Sequence, residues 1–298
     1  MPEQSVEPES SKDFIIIVFQ IMFFLVACLI GMAVFQLLGI FIAGVPLDKL
    51  DEFLKSNVKV QLILTIWSLV PVLGLTYFFR TMVDKKSFVS LGISLRGRGG
   101  DIVSGFIIAL VILGSGAFIL SQTGNIEFAR SEMNINKTLI YFILFSVVAI
   151  NEELIVRGYI LNNLLSVTNK YLSLIISAVI FAVMHSLNSG LTWIAVLNLF
   201  LAGILLGSAY IFTQNLWFAI SLHLFWNFIQ GPVMGFNVSG QITESYFSTV
   251  SQGTSYLSGG EFGFEGSIIC SFLCIGLALA IVIHHQQKSN KVKVNIQK

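Results

Sequence analysis

The run Asn151-Glu152-Glu153-Leu154-Ile155-Val156-Arg157-Gly158 decides how this chain is read. It places three charged side chains within six residues, between the apolar runs 138–150 and 159–165. A charge at the centre of a membrane helix costs about 2.5–3.5 kcal/mol on insertion scales, so a cluster at that depth marks a functional site. Composition says that the surroundings are membrane. The 298 residues are 55% hydrophobic and 11% charged, with mean hydropathy +0.84, whereas soluble domains carry about 25% charged residues. The fold class expected is all-α, a polytopic membrane helical bundle.

Working outward from the charged run, the apolar segments predict eight spans, at 14–43, 60–79, 102–121, 139–165, 171–185, 191–212, 216–229 and 268–283. About 20 residues cross a bilayer, so the first span is tilted or extends beyond it. Pro71 falls inside the second, where a membrane helix tolerates the kink it causes. The sixth carries Gly203 and Gly207 four residues apart, which permits close helix approach. Residues 1–13 are expected as a disordered cytoplasmic tail, 14–285 as the eight-helix membrane domain and 286–298 as a basic cytoplasmic tail. A short surface helix is expected at 47–59 and polar loops at 123–137 and 231–266. The last is rich in Gly, Ser and Thr with recurring aromatics (Tyr246, Phe247, Tyr256, Phe262). A loop that long is functional or disordered, and its aromatics suggest that it folds back onto the membrane face.

With eight spans the termini share a side. Eleven Lys and Arg lie on that side outside the spans and five on the other, so the positive-inside rule puts both termini in the cytoplasm of a cell whose plasma membrane holds the protein. The net charge of +1 and the scattered basic residues form no patch and exclude a nucleic-acid partner. Cys28, Cys270 and Cys274 lie in apolar runs and read as buried free thiols. The partners expected are the lipid bilayer and a membrane-associated peptide or protein substrate.

Four polar positions fall inside these helices: Glu152/Glu153, Arg157, His185 and His223/Asn227. Glu153 and Arg157 are spaced i, i+4 and can pair, as a buried carboxylate requires. Glu152 points about 100° away on a helix wheel and has no such partner. A carboxylate without a partner in a low-dielectric site suits general acid or base work. His223 and Asn227 are again i, i+4, and His185 comes from another helix, so three helices can aim a carboxylate, two imidazoles and a carboxamide at one point. That set can activate a water through Glu152, position it with His185, and donate hydrogen bonds to an oxyanion from His223 and Asn227. No serine or cysteine has a base beside it in sequence, and a HExxH zinc motif is absent.

The ordered trio Glu152-Glu153-x-x-x-Arg157, Phe181-x-x-x-His185 and His223-x-x-x-Asn227 resembles the CPBP family of CAAX-type prenyl endopeptidases and bacteriocin-processing enzymes, also called Abi. The resemblance covers about residues 138–230. It implies an eight-helix intramembrane endopeptidase that cleaves a membrane-associated or lipidated peptide, with Glu152 and His185 as the water-activating pair, His223 and Asn227 as the oxyanion pair, and Glu153 and Arg157 as a supporting ion pair. It leaves the cofactor open: none, or a divalent metal such as zinc held by Glu152, His185 and His223.

Blander readings exist for each residue. Glu153 with Arg157 can be purely structural, a lone membrane histidine is more often a helix–helix hydrogen bonder, and Asn227 alone would be a packing amide. His284 and His285 read as interfacial, and Trp193 and Trp217 as interfacial anchors. Trp226, beside Asn227, is a candidate cavity residue. Two other function classes use the same residues: a proton-coupled transporter, which relays protons through Glu and His, and a non-catalytic immunity or scaffold protein.

Overall fold

The structure, a computed structural model, describes residues 11–50, 53 and 57–296. The order is α1 (Ser11–Ala43), α2 (Val58–Phe78), α3 (Gly99–Gln122), β1 (Ile126–Arg130), α4 (Ile135–Glu153), α5 (Lys170–Met184), α6 (Trp193–Ser208), α7 (Trp217–Phe228), β2 (Phe247–Ser251) and α8 (Ile268–Ile296), with short helical turns between them. It is an all-α polytopic membrane bundle. Asparagine and threonine set four helix starts. The side chains of Asn57, Asn134, Asn169 and Thr192 accept from backbone N–H groups of the first turns of α2, α4, α5 and α6, groups that would otherwise lack partners.

Among the described residues, six helices are long and apolar enough to cross a membrane, namely Lys12–Ala43, Val58–Val83, Gly99–Gln122, Ile135–Leu164, Trp193–Thr213 and Ile268–Lys288. The other two expected spans are short. α5 has 15 residues and α7 has 12, continued to Val233 by a π-helical turn. At about 1.5 Å per residue these are roughly 22 and 18 Å long, below the ~30 Å of a hydrocarbon core. α5 keeps one face exposed, with Leu172, Ile175, Val179 and Val183 on it, whereas α7 is an inner element. α7 lies against α3 and α4 and buries Phe218 through His223 together with Trp226 and Asn227. An apolar run does not reveal whether it faces lipid along a full crossing or protein along part of one.

Several boundaries differ from expectation. Ser11 to Asp13, placed in a tail, already belong to α1, and α8 continues through the expected basic tail to Ile296; residues 1–10 and 297–298 lie outside the described part. Of the expected surface helix, 51–52 and 54–56 also lie outside it; Leu50 and Phe53 are helical, and a 3-10 turn, Leu47–Lys49, precedes them. The two polar loops each supply a strand. β1 and β2 pair antiparallel with Ile126 opposite Ser251 and Arg130 opposite Phe247. Each loop alone shows too little alternation to be read as a strand, and the pairing joins residues far apart in the chain.

Small residues bring the helices into contact, as packing in lipid requires. A Cβ on Gly203 would lie 2.8 Å from the Cα of Ala178, so α6 meets α5 backbone to backbone there. Gly105 does the same between α3 and α7, where a Cβ would lie 2.7 Å from the backbone nitrogen of Leu222. Pro71 lies inside α2 against Gly31 of α1. At the end of α2, Arg80 is almost wholly buried and donates to Ser90, Asp84, Asn162 and Asn163. Asp84 also accepts from Gln20 and Tyr159. This satisfied network welds α1, α2 and the end of the fourth span together. It also buries Arg80, one of the basic residues counted outside the spans.

Candidate active site

The charged run sits where α4 changes its winding. α4 ends at Glu153, and Leu154–Leu161 continue as a π-helix before a last α-turn, Asn162–Leu164. π-segments cluster at functional sites because the extra residue re-aims neighbouring side chains. Arg157 and Glu153 are both fully buried and pair at 2.7 Å, Nη1 to Oε1. Arg157 Nη2 donates to the Gly203 carbonyl at 3.0 Å, and its guanidinium carbon lies 4.6 Å from the centre of the Phe181 ring. Glycine at 203 thus serves twice, since it lets α5 close in and presents its carbonyl to the arginine.

Glu153 Oε1 also accepts from His223 Nδ1 at 2.9 Å. The ion pair that the sequence offered as a support is therefore one side of a three-residue chain, Arg157–Glu153–His223, and it fixes the imidazole of α7 from a different helix. His185, at the C-terminal end of α5, has Nδ1 on the Phe181 carbonyl at 2.8 Å. A carbonyl only accepts, so Nδ1 carries the proton and Nε2 is left facing inward.

Both inward nitrogens face Glu152. Its Oε2 lies 3.5 Å from His185 Nε2 and 4.0 Å from His223 Nε2, and this buried oxygen has no hydrogen-bond partner. Glu152, His185, His223 and Asn227 line one cavity of about 450 Å³. Its apolar walls come from α2, α4 and α6, with Leu64, Phe145 and Leu199 among them. Glu153 and Arg157 do not reach it; they stand behind His223. Asn227, one turn beyond His223, is buried and makes no hydrogen bond with another described side chain or backbone group, so its amide is available to the cavity.

The three residues that the resemblance offered to a metal do gather, and each imidazole has its outer nitrogen tied to an acceptor, as in metal-bound histidines. The spacing is looser than coordination. Ligands about 2.1 Å from a tetrahedral ion stand about 3.4 Å apart, whereas the second contact here is 4.0 Å. Among the described residues no group of His, Cys, Asp or Glu side chains could hold a metal ion. The residues as placed do not form a metal centre.

Residues 134–229 match the family model described as type II CAAX prenyl endopeptidase Rce1-like. This segment is similar to the CAAX protease family. The Rce1-like segment opens on the helix cap of α4, Asn134, and closes at Ile229, so it holds all seven residues of the ordered trio. The match supports a CAAX-protease-like membrane protein, in keeping with the six helices long and apolar enough to cross a membrane among the described residues. Neither a curated protein nor a solved structure matches the chain.

Outside the Rce1-like segment, sequence reasoning missed part of the cavity wall. Ser239, Gln241, Ile242, Thr243 and Glu265, all from the 231–266 segment, line it, whereas Trp226, inside the matched segment, lines it as its place beside Asn227 suggested. Glu265 lies three residues before an apolar span, in Gly260-Glu-Phe-Gly-Phe-Glu-Gly266. An acidic residue so close to a membrane helix was the available signal. Gln36 of α1 and Thr65 of α2 also border the cavity, and nothing in their local sequence marks them.

Proposed function

We propose that this protein hydrolyses a peptide bond of a membrane-associated or lipidated peptide by water that Glu152 activates. One observation carries the reading: a buried Glu152 oxygen without a hydrogen-bond partner, faced by the Nε2 atoms of His185 and His223 inside an apolar-walled cavity. Carboxylate and imidazole lone pairs converging on one point call for a proton donor between them, and water supplies two protons. Glu152 takes one proton as the water oxygen attacks the carbonyl carbon, and His185 Nε2 accepts from the same water and orients it. The carbonyl oxygen becomes an oxyanion. Asn227 Nδ2 donates to it, and so does His223 Nε2 when that imidazole carries both protons, with Nδ1 held on Glu153. Glu152 then returns its proton to the leaving nitrogen as the C–N bond breaks. Glu153 and Arg157 act through His223 and are positioning residues.

The domain division and orientation belong to the same proposal. The membrane domain covers 14–285, and both termini face the cytoplasm of a plasma-membrane protein if α5 and α7 complete their crossings with neighbouring turns. The excess of eleven basic residues over five keeps its sign without the buried Arg80.

The test is cleavage of a bilayer-tethered peptide library, read by mass spectrometry, for the native chain, Glu152→Gln and His185→Ala, each with and without a chelator. Native cleavage that falls at least about 10³-fold in Glu152→Gln and is unmoved by chelator is the expected result, from the loss of a general base and its water. Cleavage abolished by chelator overturns the metal-free route, and cleavage untouched by Glu152→Gln overturns the assignment of the base. Substrate-coupled proton flux in liposomes without cleavage replaces the peptidase by a transporter.

A further inference from the structure

Beyond the α1 and α2 residues, the cavity has a wall from C-terminal to the Rce1-like segment, the turn 238–243, and its attachment is specific. Val238 and Gln241 bridge each other, closing a tight turn over Ser239 and Gly240. Ser239 has φ +47°, an uncommon conformation for a residue with a side chain, and it is gripped from two directions. Glu265 Oε2 accepts from its backbone nitrogen at 2.7 Å and its hydroxyl at 2.8 Å, and Asn188, three residues beyond His185, donates to its carbonyl at 3.0 Å. A Cβ on Gly240 would lie 2.1 Å from the Ser189 carbonyl, so the turn rests directly on the backbone after His185. The other Glu265 oxygen accepts from Trp226 Nε1 at 3.1 Å, beside Asn227. Glu265 is itself anchored, since its carbonyl accepts from Asn198 of α6 at 2.7 Å.

Glu265 is therefore a buried carboxylate with both oxygens committed, one to the turn and one to the helix that carries the oxyanion donors. A single side chain couples the outer wall of the cavity to its reacting end. Beyond Ser239 the turn presents Gln241, Ile242 and Thr243 to the cavity, and Ile242 remains 66% exposed although it borders that space. An aliphatic side chain left exposed on a fixed turn at a cavity wall is placed to contact whatever enters.

We propose that the turn 238–243 is the specificity-determining wall for the peptide residue beside the scissile bond, with Ile242 as its contact, and that Glu265 is the positioning residue that holds it. This rests on the peptidase reading. A bulky apolar substrate residue packs on Ile242. Ser239 and Glu265 keep that contact in register with Glu152 and Asn227.

Two readouts test it in the full chain in liposomes. The first is kcat/KM across tethered peptides that differ only in the size of the residues flanking the cleaved bond. Ile242→Ala is expected to change the ratio between bulky and small residues by at least about tenfold, as removal of several methylenes from a contact does. Glu265→Ala is expected to flatten the whole profile and raise KM about tenfold with kcat changed less than threefold, and Glu265→Gln to recover the preference in part, because its amide oxygen still accepts from Ser239 while its NH2 cannot accept from Trp226. A merely structural Glu265 would lower the folded fraction and leave the profile of the folded molecules as it was. An unchanged profile in Ile242→Ala overturns the wall. The second readout is photocrosslinking of the same peptides by benzoylphenylalanine in place of Ile242, which needs no turnover. Capture without any cleavage sinks the peptidase reading and keeps the wall as a binding surface, and no capture overturns the wall itself.

Discussion

The chain Arg157–Glu153–His223 makes stability and chemistry separable, and Glu153→Gln separates them. The substitution keeps shape and removes one charge. Arg157 then loses its 2.7 Å partner at full burial and retains the Gly203 carbonyl and the Phe181 ring. Breaking a buried pair from one side costs about 3–5 kcal/mol, and the retained contacts put the expected loss near the lower figure. Arg157→Met leaves Glu153 buried with only His223 and is expected to cost about as much. Combining the two removes both charges together, and the double variant is expected to lose clearly less than the sum of the single losses, because no uncompensated charge is left buried. The assay is reversible unfolding in mixed micelles, followed by the labelling of Cys28, Cys270 and Cys274, all buried free thiols, with a thiol-reactive fluorophore. Cleavage behaves differently. The double variant recovers stability in part but not the carboxylate under His223 Nδ1, so activity per folded molecule stays at least about tenfold down in Glu153→Gln and in the double variant alike. Additive stability losses would refute the coupling, and activity that returns together with stability would refute the positioning of His223 by Glu153.

Asn227→Ala is expected to lower kcat by about 10²–10³ with little change in KM, the signature of a lost oxyanion donor; a pure KM effect in steady-state kinetics would contradict that role. Gly105→Ala forces a methyl to within 2.8 Å of backbone atoms of α7, Leu222 N and Phe218 O. Overpacking of that kind costs about 1–3 kcal/mol, and the micelle unfolding assay reads it directly. Arg80→Ala removes the hub of the network of Asp84, Ser90, Asn162 and Asn163. It is expected to destabilise by about 3–5 kcal/mol, leaving Asp84 buried without its cation, while cleavage per folded molecule stays within twofold, because the network does not border the cavity.

The sequence by itself determined that this is a membrane bundle, since no soluble core tolerates so few charges over so long an apolar chain. It also singled out a few polar residues as candidates, because an ionisable group or amide kept inside an apolar segment needs a reason. Glu152, Glu153, Arg157, His185, His223 and Asn227 were legible on that ground, and so was the pairing of Glu153 with Arg157, which depends only on local helical spacing. The tertiary structure decided everything that spans helices. It set the second partner of Glu153, which is His223 from α7. It showed that α7 is an inner part-length helix, a distinction hydropathy cannot make because protein interior and lipid are equally apolar. And it decided the 231–266 segment, whose polar, glycine-rich sequence has no period of its own. That segment folds because a strand 121 residues earlier accepts it, with Phe128 opposite Thr249, and because Glu265 reaches back to Ser239 and Trp226. Contacts between residues so far apart leave no local pattern, so only the folded chain displays them.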